Sequence, residues 1–407
     1  YEVTEFTEVA DVYVINTCTV TNMGDKKSRQ IISRARRLNP DAIIAVVGCY
    51  SQIAPKEVSA IEGVDVVLGT RNKGDVVYYV NKARDEQTAQ IYVESVLRNK
   101  KFEALNIEEY QDKTRAFLKI QDGCNRFCAY CIIPYSRGSV CSKEPRQVLD
   151  EINKLSEHGF KEIILSGIHT ASYGLDLDGE ITLVDLLEEI EKLDGIERVR
   201  IGSIEPAFFT PEVIEKIKNM KKLCPQFHLS LQSGCNATLK RMNRRYTAEE
   251  YERIVNILRE NIKDVSITTD VIVGFPGETE EEFNETYEFL KRIKLTKTHV
   301  FKYSPREGTK AATMPNQLDG TVKDKRSKAL IELNDKNEGD FTRFIVGRVM
   351  DVLIEQPVKG KDDVYEGYTR NYVKVEVKGI EENLKGQIVN CKIEEALGDY
   401  AVATLVK

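Results

Sequence analysis

The chain has 407 residues, 41% hydrophobic and 30% charged, which is the composition of a folded protein of two or three domains and excludes a disordered one. Against 59 Lys and Arg stand 65 Asp and Glu, a net charge of −6, so a general basic coat is excluded while a local basic face is not. No apolar run approaches the roughly 18–20 residues of a membrane span and no signal-peptide core opens the chain, so we expect a cytoplasmic protein with no membrane partner. Because the chain opens at Tyr1 and not at Met, we also expect a preceding segment.

From Asp11 to about Lys82 the text alternates between strand-like and helix-like runs. Val12–Ile15 reads as a buried strand running into Asn16-Thr17-Cys18. Asp25 is predicted to cap a helix to Leu38, with Ile31, Ile32, Ala35 and Leu38 on one face. Apolar runs 42–47 and 64–68 then lead into Gly48-Cys49 and Gly69-Thr70. Strands followed by helices predict a small parallel α/β domain over 1–84, whose functional groups lie past the carboxyl ends of its strands. Cys18 and Cys49 both fall there. Residues 85–111 read as a linker.

A second alternation fills 112–340. Strand-like runs at 117–121, 162–167, 199–203, 227–232, 265–273 and 299–303 are separated by helical patterns at 145–157, 183–193, 211–220, 248–262 and 280–293. Thr279 with Glu282 makes a capping box before the last of these. Six β/α units predict a partial, open (β/α) barrel with its chemistry at the strand carboxyl ends. A long helix is expected over 316–338. Residues 341–407 change to short alternating strands (348–355, 372–377, 386–393 and 400–406) with glycine at the turns, which predicts a small β-barrel. The fold class is therefore α/β with a terminal all-β module.

Nine cysteines, an odd number spread along the chain, do not form a disulfide framework. Three crowd into Cys124-Asn-Arg-Phe-Cys128-Ala-Tyr-Cys131, directly after the first barrel strand. Structural zinc takes four ligands, often as paired C-x2-C knuckles, and the companion pair is missing. Bacterial ferredoxins use another spacing and a fourth cysteine. Three thiolates on a 4Fe–4S cluster leave one iron open to a chelating substrate, which is what one-electron cleavage of S-adenosylmethionine requires. We take Cys124, Cys128 and Cys131 as catalytic cluster ligands. Tyr130 is either an adenine contact or a packed aromatic. Cys141, Cys224, Cys235 and Cys391 read as packing residues.

This arrangement resembles the radical S-adenosylmethionine superfamily. Asn16-Thr17-Cys18-Thr19-Val20-Thr21, Gly48-Cys49-Tyr50, Gln121 through Gly138, Leu231-Gln232-Ser233-Gly234-Cys235 and Gly274-Phe275-Pro276-Gly277-Glu278-Thr279 are together similar to the methylthiotransferases within it, and the terminal barrel is similar to a TRAM domain. Thr19 through Asn22 followed by Gly24-Asp25-Lys26-Lys27-Ser28-Arg29-Gln30 most resembles the MtaB branch, which acts on N6-threonylcarbamoyladenosine in tRNA. The resemblance implies two 4Fe–4S clusters. The second is held by three cysteines of the first domain, of which Cys18 and Cys49 match two, and no cysteine precedes Cys18. It further implies a deoxyadenosyl radical that takes hydrogen from carbon 2 of the adenine, transfer of a methylthio group to that carbon, a tRNA anticodon stem-loop as partner, and an electron donor such as flavodoxin or ferredoxin. An unactivated aromatic C–H needs a radical and not a base, with the donor sulfur poised in a dry site.

Other residues keep two readings each. Gln232 is a ribose contact or a strand-end cap, and Glu205 a cofactor contact or a mouth-facing polar group. Gly274 opens an adenine-contacting loop or merely a tight turn. Residues 166–174, with His169, line the site or pack. Arg241, Arg244 and Arg245 meet an anion or solvent. Lys26, Lys27, Arg29, Arg34, Arg36 and Arg37 crowd one helix, as a tRNA-phosphate surface or a solvated face. Arg370 and Tyr372 of the terminal barrel combine a cation with an aromatic, as nucleic-acid-binding barrels do. Competing functions are methylthiolation of isopentenyladenosine or of a ribosomal-protein aspartate, and a non-catalytic RNA binder with a vestigial cluster. The intact triplet speaks against the last.

Overall fold

The computed structural model describes residues 1–19, 22–96, 102–103, 114–380 and 383–406. Val20 and Thr21 of the first motif, 97–101 and 104–111 of the expected linker, and 112–113 at the expected start of the barrel lie outside the described residues. The chain divides into two compact units. One comprises Tyr1–Leu105, Asp122–Cys141 and Ser304–Thr313; the other Asn106–Gln121, Ser142–Tyr303 and Met314–Lys407. Among the described residues no helix is long and apolar enough to cross a membrane.

The first unit is built on a parallel sheet of Val12–Thr17, Ile43–Gly48, Val66–Leu68 and Gln90–Tyr92, paired in sequence order. Both faces of the Ile43–Gly48 strand are covered, which explains its unbroken apolar run. Ile44 and Val46 pack with Ile32 and Ala35 of the helix Asn22–Leu38, while Ala45 and Val47 pack with Val80 and Ala83 of the helix Val76–Glu86. Three expectations are corrected here. Gln90–Tyr92 is a sheet strand inside the stretch read as a linker, too short to show a periodicity of its own. Ile31 points outward and is 41% exposed, one helical step from the fully buried Ile32. Asp25 lies in the first turn of a helix that begins at Asn22, and its carboxylate is bound by Arg306 at 2.7 Å instead of capping the helix.

In the second unit six parallel segments follow one another: Arg115–Lys119, Glu162–Ser166, Arg198–Ile201 continued by Ser203–Ile204, Gln226–Leu229, Ser266–Val273 and Lys297–Lys302. The third is interrupted at Gly202, whose N–H bonds the Leu165 carbonyl at 2.9 Å, and Ser230 N–H bonds Ile204 O beyond the break. One face carries Leu118, Leu165, Ile201, Phe227, Leu229, Ile267 and Val271 into a single core with Ile152, Leu187, Tyr251 and Phe289 of the flanking helices. Thr279–Glu282, Thr247–Glu250 and Thr182–Asp185 form capping boxes. These elements make the expected partial (β/α) barrel. The long helix runs Gly320–Phe344, later than expected, because Asp319 caps it by accepting from Val322 N at 3.0 Å.

The terminal module is a closed barrel of Val349–Pro357, Val364–Thr369, Lys374–Lys378, Tyr400–Leu405 and Ile388–Leu397. Its second strand escaped the sequence reading because Gly367 interrupts it. A Cβ there would stand 2.3 Å from the Leu353 carbonyl oxygen, so the close crossing of the two strands requires glycine.

The module docks under the starts of the barrel strands, in the same unit. Glu162 and Arg198 are fully buried and Arg200 is 3% exposed. Glu162 pairs with Arg198 at 3.3 Å and Arg200 at 3.0 Å, and Arg198 continues to Asp351 at 3.1 Å. Arg370 closes the set on Asp351, also at 3.1 Å. The Tyr372 ring lies 4.4 Å from the Arg200 guanidinium, stacks on Tyr368, and its hydroxyl accepts from Arg115 at 2.8 Å. Arg370 and Tyr372, read from the sequence as RNA-facing, also make these contacts at the junction, with Tyr372 still 37% exposed.

Candidate active site

The cysteine triplet lies on a loop of the first unit held by its own backbone. Gly123 (φ +70°) turns so closely that a Cβ would be 1.9 Å from Ser139 O. Cys124 N–H then reaches Gly138 O at 3.0 Å, and Cys131 N–H reaches Cys128 O at 2.9 Å. Phe127, at φ 49°, adopts the left-handed turn between the first two cysteines. All three cysteines are half-buried and outside any disulfide, and the backbone N–H of Arg126 points at Cys124 Sγ at 3.4 Å. Among the described residues no three His, Cys, Asp or Glu side chains gather to hold a single metal ion. In a cubane each thiolate takes a different iron, and N–H···S bonds tune it, so this donor set fits a 4Fe–4S cluster. Tyr130 is half-buried between the last two ligands.

Cys18 and Cys49 lie past the first two strands of the same unit, Cys18 exposed and Cys49 buried. Gly48 (φ +105°), where a Cβ would be 2.5 Å from Thr17 O, sends the chain directly into the short helix that Cys49 opens. Two arginines that the sequence reading passed over connect these cysteines to the triplet loop. Arg137 Nε donates to Cys49 Sγ at 3.1 Å, and its other arm pairs with Asp122 at 3.4 Å. Burial works against its charge, but the Asp122 carboxylate and then the Cys49 sulfur outweigh that and raise its pKa. Arg306 binds Asp25 and the Thr19 hydroxyl, next to Cys18, while Ala311 N–H, five residues on, donates to Ala129 O between two triplet cysteines at 2.8 Å. The signal for Arg306 was available: it lies in a Pro- and Gly-containing loop just past the sixth strand, where barrel chemistry collects.

In the second unit the strand carboxyl ends carry the other candidates. Gln232 is strained into φ +72° and 8% exposed; its backbone bridges Asp270 and Ile272, and its amide makes no hydrogen bond among the described residues. Such strain at a strand end is a mark of a functional position. Glu205 is clasped between His169 Nε2 at 3.0 Å and Arg244 at 3.3 Å, and Arg244 lies over Tyr246. Gly274 (φ +72°) begins a turn folded back by Glu278, which accepts its N–H at 2.8 Å. Arg241 pairs with Glu282.

On the basic helix Lys26, Lys27, Arg34 and Arg37 face solvent; Arg29, also exposed, touches the Tyr50 hydroxyl at 2.9 Å, and Arg36 turns to Asp65. Cys141, Cys224, Cys235 and Cys391 are buried. Burial pushes the thiols of Cys224 and Cys235 up, and that of Cys391 to about 12, as suits inert packing residues.

Comparison with known proteins agrees with this layout. Residues 118–290 match the radical SAM superfamily and residues 1–69 match the uncharacterized protein family UPF0004. The chain is 45% identical to the threonylcarbamoyladenosine tRNA methylthiotransferase MtaB of Bacillus subtilis, covering 100% of this chain and 90% of that protein. It is 38% identical to the tRNA-2-methylthio-N(6)-dimethylallyladenosine synthase of Thermoanaerobacter pseudethanolicus, covering 97% and 84%. Among solved structures, the radical S-adenosylmethionine methyltransferase TsrM of Kitasatospora setae, with cobalamin and a [4Fe-4S] cluster bound, shares the fold at a TM-score of 0.55. That match has 19% identity and spans 74% of this chain and 66% of that one. The superfamily implies one 4Fe–4S cluster and S-adenosylmethionine, which the triplet loop fits. With near-complete coverage and identity of this order, the chain belongs to the methylthiotransferases, radical S-adenosylmethionine enzymes that transfer a sulfur-containing group.

Proposed function

We propose that the chain adds a methylthio group to carbon 2 of N6-threonylcarbamoyladenosine at position 37 of tRNA, beside the anticodon. The observation that carries this is the full-length likeness to a relative named for that substrate, joined to an intact triplet of half-buried thiols. Cys124, Cys128 and Cys131 would hold the 4Fe–4S cluster, and Tyr130, Gln232, Glu205 and Gly274 would seat S-adenosylmethionine. When bound, the cluster supplies the electron that cleaves the sulfonium. The chain's own part is to hold three thiolates on a rigid turn, to offer an uncommitted amide at Gln232, and to fix the Glu205 carboxylate between an imidazole and a guanidinium. Cys18 and Cys49 are proposed as two of three ligands of a second cluster, with Arg137 donating to the Cys49 sulfur; residues 1–17 contain no cysteine.

Lys26 and Arg29, on the exposed helix face, are proposed to meet phosphates of the anticodon stem-loop, a contact that weakens steeply with salt. Flavodoxin or ferredoxin is the proposed reductant and the cytoplasm the proposed compartment. Isopentenyladenosine is the second reading, favoured by the 38% identity to a synthase of that branch. Deleting the gene should remove 2-methylthio-N6-threonylcarbamoyladenosine from digested tRNA, leave N6-threonylcarbamoyladenosine in its place, and spare the isopentenyl series, as read by nucleoside mass spectrometry. Loss of the isopentenyl product instead selects the second reading.

A further inference from the structure

Side chains alternate along each barrel strand, so the residues between those of the helix-side core occupy the opposite, concave face. Phe227, Leu229, Ile267, Val271 and Val300 pack on the helix side. His228, Asp270, His299 and Phe301 therefore share the concave face, with Phe117 across it on the first strand. A filled barrel buries such positions. Here Phe117 is 49% and Phe301 51% exposed, and His299 is exposed as well. The concavity is open, edged by aromatic rings and polar at its centre.

That polar centre is ordered. His228 is held through Nδ1, 3.0 Å from Thr268 Oγ1, and its Nε2 lies 3.2 Å from Asp270 Oδ2 without forming a hydrogen bond to it. The His299 ring lies 5.7 Å from it, tilted by 34°, and makes no hydrogen bond among the described residues. Although His299 is exposed as a residue, partial desolvation of its ring is the main cause that lowers its pKa; Asp270 opposes it and His228 adds to it. A neutral imidazole offers one donor and one acceptor. Asp270 also joins this centre to the strand ends, since its carbonyl accepts the N–H of Gln232 at 2.8 Å.

We propose that His299, backed by Asp270 and His228, reads the N6 substituent of the target adenosine and favours a threonylcarbamoyl group over an isopentenyl one. The assignment rests on the function proposed above. A threonylcarbamoyl group presents a urea, a hydroxyl and a carboxylate, and so asks for donors and acceptors together. An isopentenyl group presents neither, and seating it would strip water from an imidazole and a carboxylate with nothing in return. Sites built to hydrogen-bond a substrate reject analogues that lack the bonding group far more strongly than apolar pockets discriminate by shape, by as much as about 10⁴-fold. His228 is a positioning residue here: anchored by Thr268, its ring stands between the Asp270 carboxylate and the His299 ring.

The test is equilibrium binding of the purified protein to three stem-loop RNAs of one sequence, whose target adenosine carries threonylcarbamoyl, isopentenyl or no substituent. The wild type should prefer the first. H299L should lower that preference by roughly tenfold or more, on the scale of a lost substrate hydrogen bond. It should shift binding of the unsubstituted RNA by less than about twofold, since His299 touches only the substituent. H299Q, which keeps a donor and an acceptor, should retain part of the preference. A preference unchanged in H299L, or an equal loss with all three RNAs, overturns the assignment of His299 and leaves the proposed function standing. A wild type that binds all three alike overturns both.

Discussion

Replacing Cys128 with alanine is expected to abolish cleavage of S-adenosylmethionine by the anaerobically reconstituted protein and to lower its iron content. The loss should exceed the roughly 10- to 100-fold typical of removing an outer hydrogen-bond partner of a metal ligand, because a ligand itself is gone. Cys128 is half-buried on a loop whose shape is set by Gly123, Cys124 N–H and Cys131 N–H, so its sulfur contributes little to folding. Thermal melting of the apoprotein should move by no more than a couple of degrees, the scale of an exposed substitution. C391A supplies the contrast: it removes a thiol that burial has pushed up to about 12, so cluster loading should persist. Deoxyadenosine release by C128A at the wild-type rate would remove the triplet from the chemistry.

The second large effect is on stability. Glu162 is fully buried against two guanidiniums, and E162Q leaves Arg198 and Arg200 facing a neutral amide in a dry junction. Breaking a buried pair on one side costs about 3–5 kcal/mol, and we expect E162Q to lower the unfolding free energy by that order in urea titration. The pH dependence has a definite sign. Burial pulls the Glu162 carboxyl up, but Arg200 and then Arg198 overcome it and leave its pKa below the ordinary value; Arg198 and Arg370 do the same for Asp351. A carboxylate depressed in the folded state stabilises above its unfolded pKa, near 4, and that stability disappears as pH falls through the folded values. The wild type should therefore lose stability steeply below about pH 4. E162Q, already without one of the two, should show a shallower acid limb.

What could be read from the sequence was local. The cysteine triplet is contained in a single turn, the six strands repeat at regular intervals, and Thr279 sits three residues before Glu282; each pattern needs only its neighbours to be recognised. What escaped lies far apart along the chain. Arg306 and Asp25 are 281 residues apart, and their pairing is visible only after folding. His228, Asp270 and His299 come from three different strands, each ordinary in its own context. Arg370 and Tyr372 have a composition suited to an exposed RNA surface, and composition carries no information that they also meet Asp351 and Arg200 across the module's junction. Gly367 hid a strand because a glycine within an alternating run looks like a turn until the crossing backbone that requires it is known.

The central claim is tested most directly by supplying full-length, cluster-loaded protein with excess reductant, a sulfide salt as the sulfur source, S-adenosylmethionine as the source of methyl group and radical, and an anticodon stem-loop carrying N6-threonylcarbamoyladenosine, then weighing the nucleosides after digestion. One hydrogen of the target adenine should be replaced by a methylthio group, with deoxyadenosine released alongside. An unmodified adenosine recovered from a reaction that does release deoxyadenosine would contradict the account.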